Sequence, residues 1–381
     1  MSIPAKRKAA SPAPETPAPA VPKTKTPTPD PVSPTPVSPT AAGEASEPAE
    51  NFTGAHWLQQ GLPEPDETDS TLGSDIESST ASISSSILNY RTINGRTYHS
   101  DAVTNGEYWG PNDPKHLDAL ELFAHATDLM IGGKLHFAPI TKDIKHTIDI
   151  GTGIGLWAID FADEYPQCEV IGTDISPVQP SWCPPNLSFE INDASKEWTF
   201  KPDHFDYVHI RFLNGAIPDW AELYKQAYRV CKPGGWIEHL DLSSVPVSDD
   251  DSIAKGSALE QYGILFKEAG KRLGLTQTIA EDNLQENGLK AAGFVNLAVK
   301  EFKMPASPWP QDQNLKNVGL FVNTAISGDI EGIIQYVCGN VMGWSQEEMA
   351  IYIAHLRKEL KDKSIHGYWR WKLVYAQKPL E

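Results

Sequence analysis

One stretch, His146–Ser176 (HTIDIGTGIGLWAIDFADEYPQCEVIGTDIS), limits what this chain can fold into more than any other. A short apolar run is followed by three glycines at alternate positions, Gly151, Gly153 and Gly155. A helical run over Leu156–Tyr165, a second apolar run over Glu169–Thr173 and a terminal Asp174 complete it. The order reads strand, tight turn, helix, strand. Glycines in such a turn let the backbone adopt φ > 0 and come close to a ligand. A dinucleotide fold uses GxGxxG, with the third glycine packing helix on strand. Here position 156 is Leu, and the pattern is acid-x-GxGxG with Asp149 in front. No Lys-Ser or Lys-Thr follows, which excludes a P-loop.

The charge of the turn separates the remaining ligands. A pyrophosphate wants backbone N–H donors and is repelled by a nearby carboxylate. Asp149 instead suits a cationic ligand, and S-adenosylmethionine carries an ammonium beside a sulfonium. Asp174, at the end of the next strand, can accept both hydroxyls of a ribose. Asp193 follows the third strand, where an acid can pair with the adenine amino group. Pro233-Gly234-Gly235 precedes a further strand, Gly234–Leu242. A nicotinamide or flavin enzyme and a cofactor-free α/β core are the competing readings. Four features in register favour S-adenosylmethionine.

The flanking pattern extends the same architecture. Strands are expected at Leu187–Ile191 and Tyr207–Arg211, with a helix over Trp220–Arg229. An amphipathic helix is expected from Ser252 to Gly274. A helix, a glycine stop and a strand follow within 283–305, then a helical run over 312–363 and a last strand in YWRWKLVYAQKP. Alternating strands and helices predict a doubly wound parallel sheet. Asn94-Gly95 marks a turn. Asp113-Pro114 is a helix start before an apolar stripe from Leu117 to Met130, and Gly132-Gly133 its stop. This gives four parts: a Pro/Ser/Thr-rich tail over 1–85, a helical lead-in over 86–145, a cofactor core over 146–245 and a cap with the last strands over 246–381.

Thirteen of the 31 prolines fall in the first 50 residues. That composition cannot bury enough apolar surface to fold, so the tail is expected to be disordered. Its Lys6-Arg7-Lys8 cluster could serve nuclear import or only solvation. A net charge of −18 argues against sequence-independent nucleic-acid binding and against adsorption to anionic membranes. No apolar run reaches the ~20 residues that span a bilayer, and no secretory h-region is visible. The four scattered cysteines fit a reducing compartment with no metal site. The protein is expected to be intracellular, cytoplasmic or nuclear.

The stretch DIGTGIGLWAIDFADEYPQCEVIGTDISPVQPSWCPPNLSFEINDA, with FDYVHIRFLNG and PGGWIE, resembles the fungal LaeA-like methyltransferases. NGRTYH, YWGPNDPKHLDALEL and GGKLHFAPI upstream resemble that family's lead-in. The resemblance covers about residues 88–245 well and the C-terminal part more loosely. It implies a class I S-adenosylmethionine-dependent methyltransferase fold, Rossmann-like, with seven strands of which the last is antiparallel. It also implies a role in fungal secondary metabolism. Some members tailor a small-molecule or peptide-derived metabolite; others are nuclear regulators that act with velvet-type partners. Asn192 stands where a second acid is common, and Trp109-Gly110 is a second departure.

Methyl transfer is an in-line displacement that needs alignment and sometimes a base. Ligands bind at the carboxyl ends of the strands. His209 and His239, at two strand ends, are therefore candidate catalytic bases, and equally ordinary packed histidines. Arg211 is placed with the cofactor-binding set of Asp149, Gly151, Gly153, Gly155, Asp174 and Asp193. RFLNG stands where DNA or glutamine methylation would require Asn/Asp-Pro-Pro-aromatic, so neither is expected. Tyr98, His99 and Tyr108 could line a lid over the cofactor or simply pack. Trp309, Trp344, Tyr352, Trp369 and Trp371 suggest a closed aromatic cap. A binding module without turnover is the third functional reading.

Overall fold

The computed structural model describes residues 53–63, 86–104 and 108–381. Most of the expected tail, with Lys6-Arg7-Lys8, lies outside these residues. The stretch 53–63 corrects the expectation, because Gly54–Gln60 forms a helix, α1. Seven residues cannot hold a helix alone in water. Trp57 supplies the missing stability. It is buried, donates its indole N–H to the Gln261 side chain, and packs against Tyr352 and His355 with ring centroids 5.3 and 5.0 Å away.

Seven strands make the main sheet: β3 (His146–Ile150), β4 (Glu169–Asp174), β5 (Leu187–Ile191), β6 (Phe205–Arg211), β7 (Cys231–Leu242), β8 (Val295–Pro305) and β9 (Tyr368–Gln377). Their order is β5-β4-β3-β6-β7-β9-β8. Strands β3 to β7 pair in parallel, and β9 is antiparallel to both neighbours. The strand order reverses between β3 and β6, so a crevice opens at their carboxyl ends. The glycine turn leads from β3 into α3 (Leu156–Glu164) at this point.

The two faces of β6 show why the strands read as they do. Val208 and Ile210 pack in one cluster with Leu223, Tyr224, Ala227 and Val230 of α4 (Trp220–Val230). Tyr207 points to the other face, into a cluster with Trp157 and Phe161 of α3. Asp219 caps α4 by accepting from Glu222 N–H at 2.9 Å. Gly155 begins α3 at φ +80, and a Cβ there would stand 2.6 Å from Phe189. Both facts require glycine.

The lead-in is more than a helix. Asn94 and Gly95, both at positive φ, turn a hairpin of β1 (Arg91–Ile93) and β2 (Arg96–Tyr98). Then comes α2 (Pro114–Met130), capped by Asp113 as the sequence suggests. Helix α5 (Ala258–Leu273) starts later than expected, because Ser257 is its cap and the Glu359 carboxylate takes the Ala258 and Leu259 N–H groups at 2.8 and 2.7 Å. A shorter helix, α6 (Leu284–Ala292), leads into β8.

The run expected over 312–363 is broken. It comprises α7 (Gln313–Gly328), α8 (Ile330–Ile334), a π-helical turn (Gln335–Val341) and α9 (Gln346–Lys361). Ser345 and Glu348 form a capping box at the start of α9. Asp329, at the first break, has its carboxylate fully buried. Arg96 binds it with two nitrogens at 2.7 and 3.0 Å, and His116 Nδ1 lies 2.8 Å away. This ties the hairpin, α2 and the cap together.

Two stability changes follow. Trp57→Ala should cost about 3–5 kcal/mol, the usual range for emptying a buried tryptophan site, and deleting residues 1–85 should cost a similar amount. Thermal unfolding of both variants checks this; an unshifted midpoint on either would mean that α1 contributes nothing. Gly155→Ala should cost at least about 1–2 kcal/mol from the left-handed backbone alone, with the Phe189 contact adding to it. Urea unfolding measures that loss.

Candidate cofactor and acceptor site

The switch point opens into a cavity of about 430 Å³, within the range of small-molecule sites. Its floor is the glycine turn. In-register pairing sets Asp149 beside His209 on β6. The Asp149 carboxylate accepts from Thr152 Oγ1 at 2.7 Å and lies 2.7 Å from His209 Nδ1. His209 also stacks on Trp157, with ring centroids 3.5 Å apart at 8°. Burial holds this histidine below its ordinary pKa, against the upward pull of Asp149. The neutral ring therefore gives its Nδ1–H to Asp149 and keeps a lone pair on Nε2.

Asp174 ends β4 and reaches back over the turn. It accepts from Gly153 N–H at 2.8 Å and Ser176 N–H at 3.0 Å. Burial pushes its pKa up to about 6 despite these bonds, and Asp149 adds to the rise. Asp193 follows β5 and accepts from both the backbone N–H and the hydroxyl of Ser195, at 2.9 and 2.6 Å. Burial alone would raise its pKa, but Ser195, Thr104 and Lys196 outweigh it and hold the group low. The two acids thus differ in how readily they protonate.

Asp149, Gly151, Gly153, Asp174, Asp193, His209 and Arg211 all line this cavity. Gly155 does not; it shapes the turn from behind. His239 also lies elsewhere and is a correction. It is fully buried in β7, with Nδ1 2.8 Å from Tyr224 Oη, Nε2 3.0 Å from Asp241 and its ring stacked on Trp220. With both nitrogens taken, it has nothing to offer a substrate. Arg211 reaches α2, where it pairs with Asp128 at 3.0 Å. Of the proposed lid residues, Tyr108 lines the cavity, whereas Tyr98 is buried against Tyr336 and His99 is held by Arg91. Trp371 lines the cavity as well; Trp344 and Tyr352 pack against each other in the cap.

The structure adds groups that spacing did not reveal. Gln179 donates to Gly153 carbonyl oxygen at 2.6 Å and braces the turn. Asn112 lines the cavity, and its Oδ1 is buried with no hydrogen-bond partner among the described residues. An orphaned acceptor beside the glycine turn fits a ligand rich in hydroxyl and ammonium donors. Asn112 lies in the NDPKHL helix-start segment, where the sequence indicates only capping. The far half of the cavity is apolar, walled by Leu117, Leu120 and Phe123 of α2 with Leu275 and Trp371. Phe123 stacks on Phe212 at 6.0 Å.

Comparison with known proteins agrees with this geometry. A methyltransferase-domain family profile matches residues 123–299. Methyltransferase pytC of Aspergillus terreus is 32% identical over 308 residues, covering 80% of this chain and 93% of that protein. The secondary metabolism regulator LAE1 of Cochliobolus heterostrophus is 31% identical, covering 75% of this chain and 94% of that protein. The probable methyltransferase tdiE of Emericella nidulans is 32% identical over 253 residues, covering 66% of this chain and 78% of that protein. The chain belongs to the LaeA-like family of class I S-adenosylmethionine-dependent methyltransferases.

Proposed function

We propose that this protein methylates an O or N atom of a small-molecule or peptide-derived metabolite in fungal secondary metabolism. One observation carries the reading. The cavity joins a polar lining, with Asp149, Asp174, Asp193 and Asn112, to an apolar one, with Leu117, Leu120, Phe123, Leu275 and Trp371. The pytC and tdiE relatives support the same reading. When bound, S-adenosylmethionine supplies an electrophilic methyl group. Asp174 would hold the ribose hydroxyls, Asp193 the adenine amino group, and Asp149, braced by Thr152 and His209, the ammonium. His209 Nε2 is the base available where the acceptor keeps its proton until transfer. The reading as a regulator draws its support from the relative named as the secondary metabolism regulator LAE1; velvet-type partners are that reading's further expectation. Co-purification with a velvet-type protein would favour it.

The purified chain should release S-adenosylhomocysteine when given S-adenosylmethionine and a fungal metabolite extract. No calorimetric binding of S-adenosylmethionine would end the proposal. Asp174→Asn should bind S-adenosylmethionine and S-adenosylhomocysteine about ten- to a hundredfold more weakly, and to similar extents, because both carry the same ribose. Gly153→Ala puts a Cβ into open space beside the turn at φ +57. It should weaken cofactor binding while costing the fold only about 1–2 kcal/mol.

The raised pKa of Asp174 gives a pH dependence. Its free carboxyl titrates at about 6, and the ribose hydroxyls need the ionised form. Affinity is therefore full about one unit above that value and should drop by up to about tenfold per unit well below it. Titration calorimetry from about pH 7.5 to about pH 5 reads this slope. Asp174→Asn should flatten it; a flat profile in the unmodified chain would show that Asp174 does not hold the ribose.

A further inference from the structure

A second, smaller chamber of about 50 Å³ adjoins the cavity and shares Tyr108, Leu120, Phe123 and Phe212 with it. It holds a few waters or the edge of a ring. Its walls are largely aromatic. Tyr262 stacks on Phe266 at 4.5 Å, and Trp109 meets Phe266 edge-on at 5.6 Å. Three polar side chains at least nine-tenths buried, His116, Asn214 and Ser244, interrupt this surface.

The first two each leave a polar atom without a partner. The Asp329 carboxylate, itself held by Arg96, lies 2.8 Å from His116 Nδ1 and takes that N–H. The ring's Nε2 is buried with no hydrogen-bond partner among the described residues. Asn214 gives its Nδ2 to Ser244 Oγ and Gln277 Oε1 at 2.8 and 3.1 Å, and its Oδ1 is likewise without a partner. A buried polar atom left unpaired is costly, so His116 Nε2 and Asn214 Oδ1, with the Trp109 indole N–H also unpartnered on the same chamber, call for a hydrogen-bonding group from outside the chain.

We propose that this chamber is the specificity pocket for the methyl acceptor. It takes a flat apolar end that carries one hydroxyl, read by His116 Nε2 and Asn214 Oδ1, while the rest of the acceptor lies in the larger cavity. Asp329 is a positioning residue that orients the His116 ring. The inference rests on the methyltransferase reading, because the larger cavity must hold cofactor and acceptor together.

The test uses the full chain saturated with S-adenosylhomocysteine and two probes of equal shape, 4-methylphenol and toluene. The phenol should bind about ten- to a hundredfold more tightly, as expected when a hydroxyl meets otherwise unpaired buried polar atoms. In the unmodified protein the His116 Nε2 nitrogen resonance should move with the phenol and stay with toluene. His116→Phe should abolish the difference while keeping S-adenosylhomocysteine affinity within about twofold. If that variant does not fold, the nitrogen resonance decides alone. Equal affinities, an unmoved resonance, or a preference that survives in folded His116→Phe overturns the proposal, as does absence of phenol binding by protein that binds S-adenosylhomocysteine. Failure to bind S-adenosylhomocysteine would instead overturn the methyltransferase reading.

Discussion

The Asp149 carboxylate, at the end of the central strand β3, is the interaction on which the site depends. It is buried, so each of its oxygens needs a donor. Thr152 and His209 provide them. The first bond closes the glycine turn on itself, and the second ties the turn to β6. His209 in turn stacks on Trp157, so strand, turn and helix α3 share one orientation. A ligand approaching the turn meets backbone that is already held in place.

A second buried carboxylate plays the same part for the cap. Asp329 joins the hairpin through Arg96 and α2 through His116, at a break in a helical run. Replacing one partner of such a group leaves a buried charge unpaired, which costs far more than the pair itself contributes. Both carboxylates lock a histidine by its Nδ1. One of those histidines lines the cofactor cavity and the other the adjoining chamber. The two halves of the site are thus built on one device, placed once in the sheet and once in the cap.

The aromatic residues divide along the same line. Trp371 faces the cavity, Trp369 and Trp109 the chamber, Tyr108 both, and Trp57 and Trp344 the cap interior. Trp57 fastens a short helix that has few other means of staying folded.

Much of this was legible in the sequence. The spacing of Gly151, Gly153 and Gly155, the acids at strand ends and the alternation of apolar runs are local signals. They determined the doubly wound sheet, the turn and the placing of Asp149, Asp174 and Asp193, because strand period and turn chemistry act over a few residues. Register and burial are not local, and only the tertiary structure decided what depends on them. His209 and His239 look alike as strand-end histidines, yet pairing with β3 brings one to the cavity while Tyr224 and Asp241 enclose the other. Gly155 reads as a ligand contact, and Phe189, 34 residues on, makes it a packing requirement. His116 carried no signal, since its meaning comes from Asp329, more than two hundred residues away. Contacts across that separation form only when the chain is folded, so no pattern of neighbours along the sequence could disclose them.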